Sequence, residues 1–158
     1  MAMNILVLCT GNSARSILLE SILNHTSGGR VTAYSAGSHP TGAVHPQALV
    51  LLAAKGHDTS TARSKSWDEF SGPPAPKMDV VITVCDSAAG ETCPYWPGAP
   101  VTAHWGVDDP AGCIADCDTA FKTTYDKLSE RAAKFLAAPI EGMGSVALKT
   151  LLDGIGND

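Results

Sequence analysis

The chain has 158 residues, of which 44% are hydrophobic and 17% charged, proportions that suit one packed domain with a sizeable core and not a disordered polyelectrolyte. Its net charge of −5 argues against nucleic acid as the main partner, because phosphate backbones are bound by basic faces, but it leaves room for a small anion held at a local positive site. No apolar run approaches the roughly 20 residues of a bilayer span, and the opening stretch lacks the basic region of a secretory signal, so the expectation is a cytoplasmic protein with no membrane partner.

Asn4 to Leu8 is a short aliphatic run that reads as a strand buried on both faces. Ser16 to Asn24 carries Ile17, Leu18, Ile22 and Leu23 at helical spacing, with Gly28-Gly29 as a stop. Arg30 to Ser35 alternates as a second strand, and Pro46 to Lys55 reads as a helix ended by Gly56. Ser60 to Lys77, rich in Ser and Pro, reads as surface connection with one helical turn at Trp67 to Phe70. Asp79 to Cys85 is the strongest strand signal, Pro94 to Pro100 is loop, and Val101 to Trp105 is a short strand. Asp118 to Ala138 is a long amphipathic helix with Phe121, Tyr125, Leu128, Ala132 and Phe135 on one stripe, and Ser145 to Leu152 closes the series as a last helix. Strands alternating with helices imply a parallel sheet with helical cover, whose site lies beyond the carboxyl ends of the strands. Cys9, Ser35, Cys85 and Trp105 all fall at or just after such ends.

Between the first strand and the first helix stands Cys9-Thr10-Gly11-Asn12-Ser13-Ala14-Arg15-Ser16. Small residues at Thr10, Gly11, Ser13 and Ala14 let the backbone wrap closely around a tetrahedral anion, with N–H groups turned inward and the helix N-terminus adding positive potential. Arg15 can return to the same centre and bind two oxyanion oxygens in a fork. The same field favours the thiolate of Cys9, which becomes a nucleophile aimed at the central atom of its guest. In isolation a cysteine and an arginine at this spacing are more simply a core residue and a surface charge; their position between strand and helix favours the anion site. The five cysteines, Cys9, Cys85, Cys93, Cys113 and Cys117, are odd in number, so in a reducing compartment they read as buried small hydrophobes or active thiols and not as a disulfide framework. Cys113 and Cys117 read as incidental, because two thiols without a following histidine pair make a poor zinc site. The five histidines show no ligand-like spacing, so no metal is expected at the catalytic centre.

The stretches "VLCTGNSARS", "YSAGSHP" at Tyr34 to Pro40 and "HWGVDDPAG" at His104 to Gly112 together resemble the arsenate reductases built on the low-molecular-weight protein tyrosine phosphatase fold. The resemblance covers nearly the whole chain and is weakest over Ser60 to Lys77. It implies an α/β three-layer sandwich, a four-stranded parallel sheet flanked by helices, in a single domain over residues 1–158; a monomer is expected, though the sequence itself does not give the oligomeric state. It implies Cys9 as nucleophile, Arg15 as oxyanion clamp, and Asn12 and Ser35 as supports of the loop. His104-Trp105 would pack the strand end beneath the acid loop. Some relatives hold a monovalent cation near Asn12 and Ser35, which this sequence by itself does not establish.

A thiolate that displaces oxygen from arsenic needs the departing hydroxide protonated, a task for a carboxylic acid. Asp108-Asp109-Pro110 is the candidate, and the resemblance selects Asp109, although an aspartate before proline is commonly a solvated turn residue. Cys85 and Cys93 are separately readable as a core residue and a loop thiol. The resemblance instead implies a relay from Cys9 to Cys85 to Cys93 that ends in a disulfide reduced from outside. The reductant would be thioredoxin, or glutathione or mycothiol with a glutaredoxin-like partner; no tightly bound cofactor is implied. Two alternatives use the same loop. A tyrosine phosphatase would use the same acid but has no task for Cys85 and Cys93, and here Ala111-Gly112 follow the Asp-Pro in place of aromatic walls. A noncatalytic oxyanion sensor would need no Asp109.

Overall fold

The computed structural model describes residues 3–70, 76–84, 100–107, 110 and 116–157. Four strands form one sheet: β1 (Met3–Leu8), β2 (Val31–Ala36), β3 (Val80–Thr83) and β4 (Val101–His104). Their order is β2-β1-β3-β4 and every pairing is parallel, with Leu8 opposite Ala36 on one side and Thr83 on the other. The expected parallel four-stranded sheet is therefore present. The chain leaves β1 toward one edge to make β2 and crosses to the other edge to make β3. The loop after β1 thus lies at the point where the strand order reverses, the usual ligand crevice of such sheets.

Ile5, Leu6, Val7 and Leu8 are fully buried, and each aliphatic removed from water contributes about 1.5–3 kcal/mol. Alternation sends them to opposite faces. Ile5 and Val7 join a large core with residues of the helices α1 (Arg15–Thr26), α2 (Pro46–Ala54), α3 (Cys117–Leu136) and α4 (Ser145–Gly156). Leu6 and Leu8 join a smaller cluster with Ala36, Phe70, Met78 and Val81, against which Tyr34 and Trp67 pack. Among the described residues the cover of that second face is a 3-10 turn, Trp67–Phe70, not an α-helix. The expected stripe on α3 is buried in full: Phe121, Tyr125, Leu128, Ala132 and Phe135.

Ser60 to Lys77 departs from its reading as mere surface connection. Lys65 and Phe70 are buried, and Gly37 bridges to Ser66 as an isolated parallel pair. Cys117 also departs from expectation, since it is disulfide-bonded; its partner lies outside the described residues, as does Cys113. No helix among the described residues is long and apolar enough to cross a membrane.

Candidate active site

The abrupt end of the apolar run at Leu8 puts Cys9 at the rim of the sheet. Its backbone N–H still donates to Ala36 O at 3.2 Å, while the next residue has left the strand. Cys9 is 5% exposed and is not in a disulfide. From here the chain curls, and its carbonyls are taken up from outside the curl. Thr10 O accepts from His39 N–H at 3.0 Å, Gly11 O from Thr41 N–H at 3.0 Å and Ser64 Oγ at 3.2 Å, and Ser13 O from His45 N–H at 2.9 Å. Among the described residues, the N–H groups of Gly11, Asn12, Ser13 and Ala14 donate to no protein acceptor. Ala14, the N-cap of α1, supplies no side-chain acceptor to the first turn, where Ser, Thr, Asp or Asn ordinarily stands. A row of backbone donors at a helix N-terminus can bind an anion.

Asn12 holds this shape. It is fully buried at φ 45°, a left-handed conformation that asparagine tolerates better than most residues. Its Nδ2 donates to Ser16 Oγ at 2.8 Å and its Oδ1 accepts from Lys65 N–H at 2.9 Å. Gly37 leaves no room for a side chain: a Cβ there would lie 2.4 Å from Thr10 O and 2.7 Å from Cys9 O. The "AG" after β2 is thus the floor on which the loop rests.

Ser35 supports the loop at one remove. Its hydroxyl donates to a Glu20 carboxylate oxygen and accepts from Lys65 Nζ at 3.3 Å, and it is Lys65 that reaches Asn12. Glu20 and Lys65 were absent from the sequence reading. The signals were present: Glu20 is the one charge in "SILLESIL", and Lys65 stands in "ARSKSW". Burial raises the Glu20 carboxyl above the ordinary carboxylate range, opposed by Lys65 and the Ser35 hydroxyl. Burial likewise lowers the Lys65 ammonium, opposed by Glu20.

Arg15, the first residue of α1, sends Nη1 to Val107 O at 3.0 Å. Leu8 O accepts from Val84 N–H at 3.0 Å, and Val84 O accepts from Val107 N–H at 3.2 Å. One hydrogen-bonded row across three strand ends therefore joins the residues that immediately precede Cys9, Cys85 and Asp108 in the chain. Cys85, Cys93, Asp108 and Asp109 themselves lie outside the described residues. Trp105 fulfils its packing role: fully buried, it meets Phe135 edge-on at 6.2 Å and donates Nε1–H to Leu152 O at 3.0 Å. His104 does not share it; its Nδ1 is paired with Thr83 Oγ1 at 2.7 Å in an exposed position.

A cysteine at the exit of a central parallel strand, a curl whose carbonyls are bonded from outside and an arginine at the start of the next helix make a candidate thiol-based oxyanion site on an α/β sheet. The family model of low molecular weight phosphotyrosine protein phosphatase matches residues 4–143, and the chain belongs to that family. The arsenate reductase of Halalkalibacterium halodurans is 34% identical over 131 residues, 81% of this chain and 91% of that protein. The thioredoxin-dependent arsenate reductase Cg_ArsC1' of Corynebacterium glutamicum superposes with a TM-score of 0.58 at 25% identity, covering 82% of this chain and 59% of that one. A low molecular weight protein tyrosine phosphatase from T. tengcongensis superposes with a TM-score of 0.70, also at 25% identity, covering 86% of this chain and 99% of that one. The backbone fold is thus common to reductases and phosphatases.

Proposed function

We propose that the chain reduces arsenate to arsenite, with Cys9 as nucleophile and an external dithiol as the source of electrons. The observation that carries this reading is the set of four loop N–H groups beside Cys9, Gly11 to Ala14, that find no protein acceptor among the described residues. Arg15 and arsenate reductases among its relatives support it. Thr10 to Ser16 cradle the oxyanion and stabilise both its charge and the Cys9 thiolate.

In the first step Cys9 sulfur bonds to arsenic and one hydroxide departs as water, with Asp109 supplying the proton. In the second, Cys85 sulfur attacks Cys9 sulfur. The Cys9–arsenic electron pair stays on arsenic, which leaves as arsenite, and a Cys9–Cys85 disulfide remains. In the third, Cys93 attacks Cys85, which restores the Cys9 thiolate and leaves a Cys85–Cys93 disulfide. Thioredoxin then takes that disulfide to dithiol. Its use here is supported by the thioredoxin-dependent relative; glutathione or mycothiol with a glutaredoxin-like protein is the competing source.

The test is arsenate-dependent oxidation of NADPH with reconstituted thioredoxin and glutaredoxin systems, using Cys9→Ser, Cys85→Ser and Cys93→Ser variants and the Asp109→Asn protein. Turnover with thioredoxin, lost in each cysteine variant and slowed in Asp109→Asn, is the expected result. Hydrolysis of aryl phosphates with a higher kcat/KM than arsenate reduction would make the chain a phosphatase, like the T. tengcongensis protein among its structural neighbours. Arsenate binding without reductant consumption would make it a sensor.

A further inference from the structure

A monovalent cation near Asn12 and Ser35, implied by resemblance, can be tested against the residues present. The place beside Ser35 already holds a positive charge. Lys65 Nζ lies 3.1 Å from Arg63 O, 3.3 Å from Ser35 Oγ and 3.6 Å from Glu20 Oε1. Three donor hydrogens face a carbonyl, a hydroxyl and a carboxylate, the oxygen types that an alkali ion would take. Lys65 is only 8% exposed. A metal ion in the same space would set two positive charges against one carboxylate where solvent screening is weak. The described residues do not fit a resident monovalent metal ion.

We propose that Lys65 is a built-in cation that positions the oxyanion loop, so that this protein needs no potassium or sodium where some relatives hold such an ion. The connection from ammonium to loop runs through one residue. With the Lys65 side chain seated on Glu20 and Ser35, its N–H donates to Asn12 Oδ1 at 2.9 Å and its carbonyl accepts from Gly37 N–H at 2.9 Å. Asn12 keeps its left-handed turn by that bond, and Gly37 is the residue pressed against the carbonyls of Cys9 and Thr10. The carboxylate of Glu20, on the second turn of α1, fastens the same ammonium to the helix whose N-terminus forms the site. Removing the ammonium strands a buried carboxylate and leaves a space lined with oxygen; a small cation can then refill it. The proposal rests on the reading of residues 9–16 as an oxyanion site, but its primary readout does not require turnover.

Melting temperature and phosphate binding are measured for the wild type, Lys65→Ala and Lys65→Ser in potassium, sodium and N-methylglucamine chloride at one ionic strength, with arsenate turnover recorded in parallel. The wild type is expected to be indifferent to the cation. Both variants are expected to melt lower in N-methylglucamine, to recover saturably with potassium or sodium, and to lose roughly ten- to hundredfold in kcat/KM, the scale of a small displacement of catalytic groups, with part of that loss restored by the cation. Glu20→Gln combined with Lys65→Ala should abolish the cation response, because the stranded charge is gone. Saturable stabilisation of the wild type by potassium would overturn the proposal, and that arm needs no variant to fold. Variants that melt alike in all three salts would overturn it as well. An absence of turnover with the cation pattern intact would refute the reductase reading and leave the role of Lys65 standing.

Discussion

At the scale of single residues, the site depends on atoms that do no chemistry. Gly37 is required by distance and not by backbone freedom, because any Cβ collides with the carbonyls of Cys9 and Thr10. Gly37→Ala must push the loop outward or unpair Gly37 N–H from Lys65 O. The cost is on the order of 1–3 kcal/mol of stability, as for overpacking elsewhere. The expected outcome is a lower denaturation midpoint together with a tenfold or greater loss of phosphate affinity, taken as the order of magnitude of a misplaced donor set. Isothermal titration and urea melts measure both, and wild-type affinity in this variant would refute the tight floor. Asn12 was legible as a loop residue, because an asparagine among small residues after a strand announces a turn. Its partner was not: the acceptor-to-amide bond reaches Lys65, far along the chain in a stretch whose Ser and Pro content reads as solvent-facing.

At the scale of elements, the β1–loop–α1 unit was readable because the apolar period breaks sharply at Cys9, and α3 because its five-residue stripe keeps a 3.6-residue period. Boundaries were less so. β3 runs over Val80–Thr83 and ends before the expected Cys85, in register with β4, which ends at His104; Val84 still bonds to Leu8 and Val107 but no longer as part of the ladder. Contacts between helices were hidden altogether, as the bridge made by His57 illustrates. Its Nδ1 pairs with Ser21 Oγ of α1 at 2.8 Å and its Nε2 with Tyr125 Oη of α3 at 2.8 Å, while His25 stacks on its ring at 4.1 Å. Burial, and then the neighbouring His25, hold the His57 pKa below its ordinary value of 6.5. The folded value is depressed, so the unfolded chain takes up the proton first. This contribution to stability is present above 6.5 and is lost as pH falls below it. Urea midpoints should therefore drop between about pH 7.5 and about pH 5.5, and His57→Gln should flatten that slope. An unaltered slope in the variant would assign the pH dependence to another group.

At the scale of the whole molecule, two arginines from different helices hold consecutive carbonyls. Arg131 of α3, 4% exposed, donates Nη1–H to Gly106 O at 3.0 Å, and Arg15 of α1 holds Val107 O. The segment that enters Asp108-Asp109 is thereby pinned to both helices. Arg131→Met removes a charge-assisted hydrogen bond from the part-buried Gly106 carbonyl, at a cost of about 1–3 kcal/mol. It should lower kcat/KM for arsenate while the rate of Cys9 alkylation by iodoacetamide stays as in the wild type; a fall in both would mean that Arg131 supports the thiol loop itself. The disulfide of Cys117 belongs to this scale too, and spacing alone could not disclose it, because a cysteine's partner is a fact of tertiary structure.

The position of β1 between β2 and β3 also bears on how the protein comes to life on the ribosome. β1 is translated before either neighbour, and its second edge stays bare until residues 80–83 have been made and have left the exit tunnel. Such long-range parallel pairing is slow, and an uncovered aliphatic edge is the kind of surface on which nascent chains stick to one another. The segment that leads into Cys9 is thus made before both of its neighbours and is fastened on its second edge only after them, which makes this interval the natural one for a chaperone to occupy.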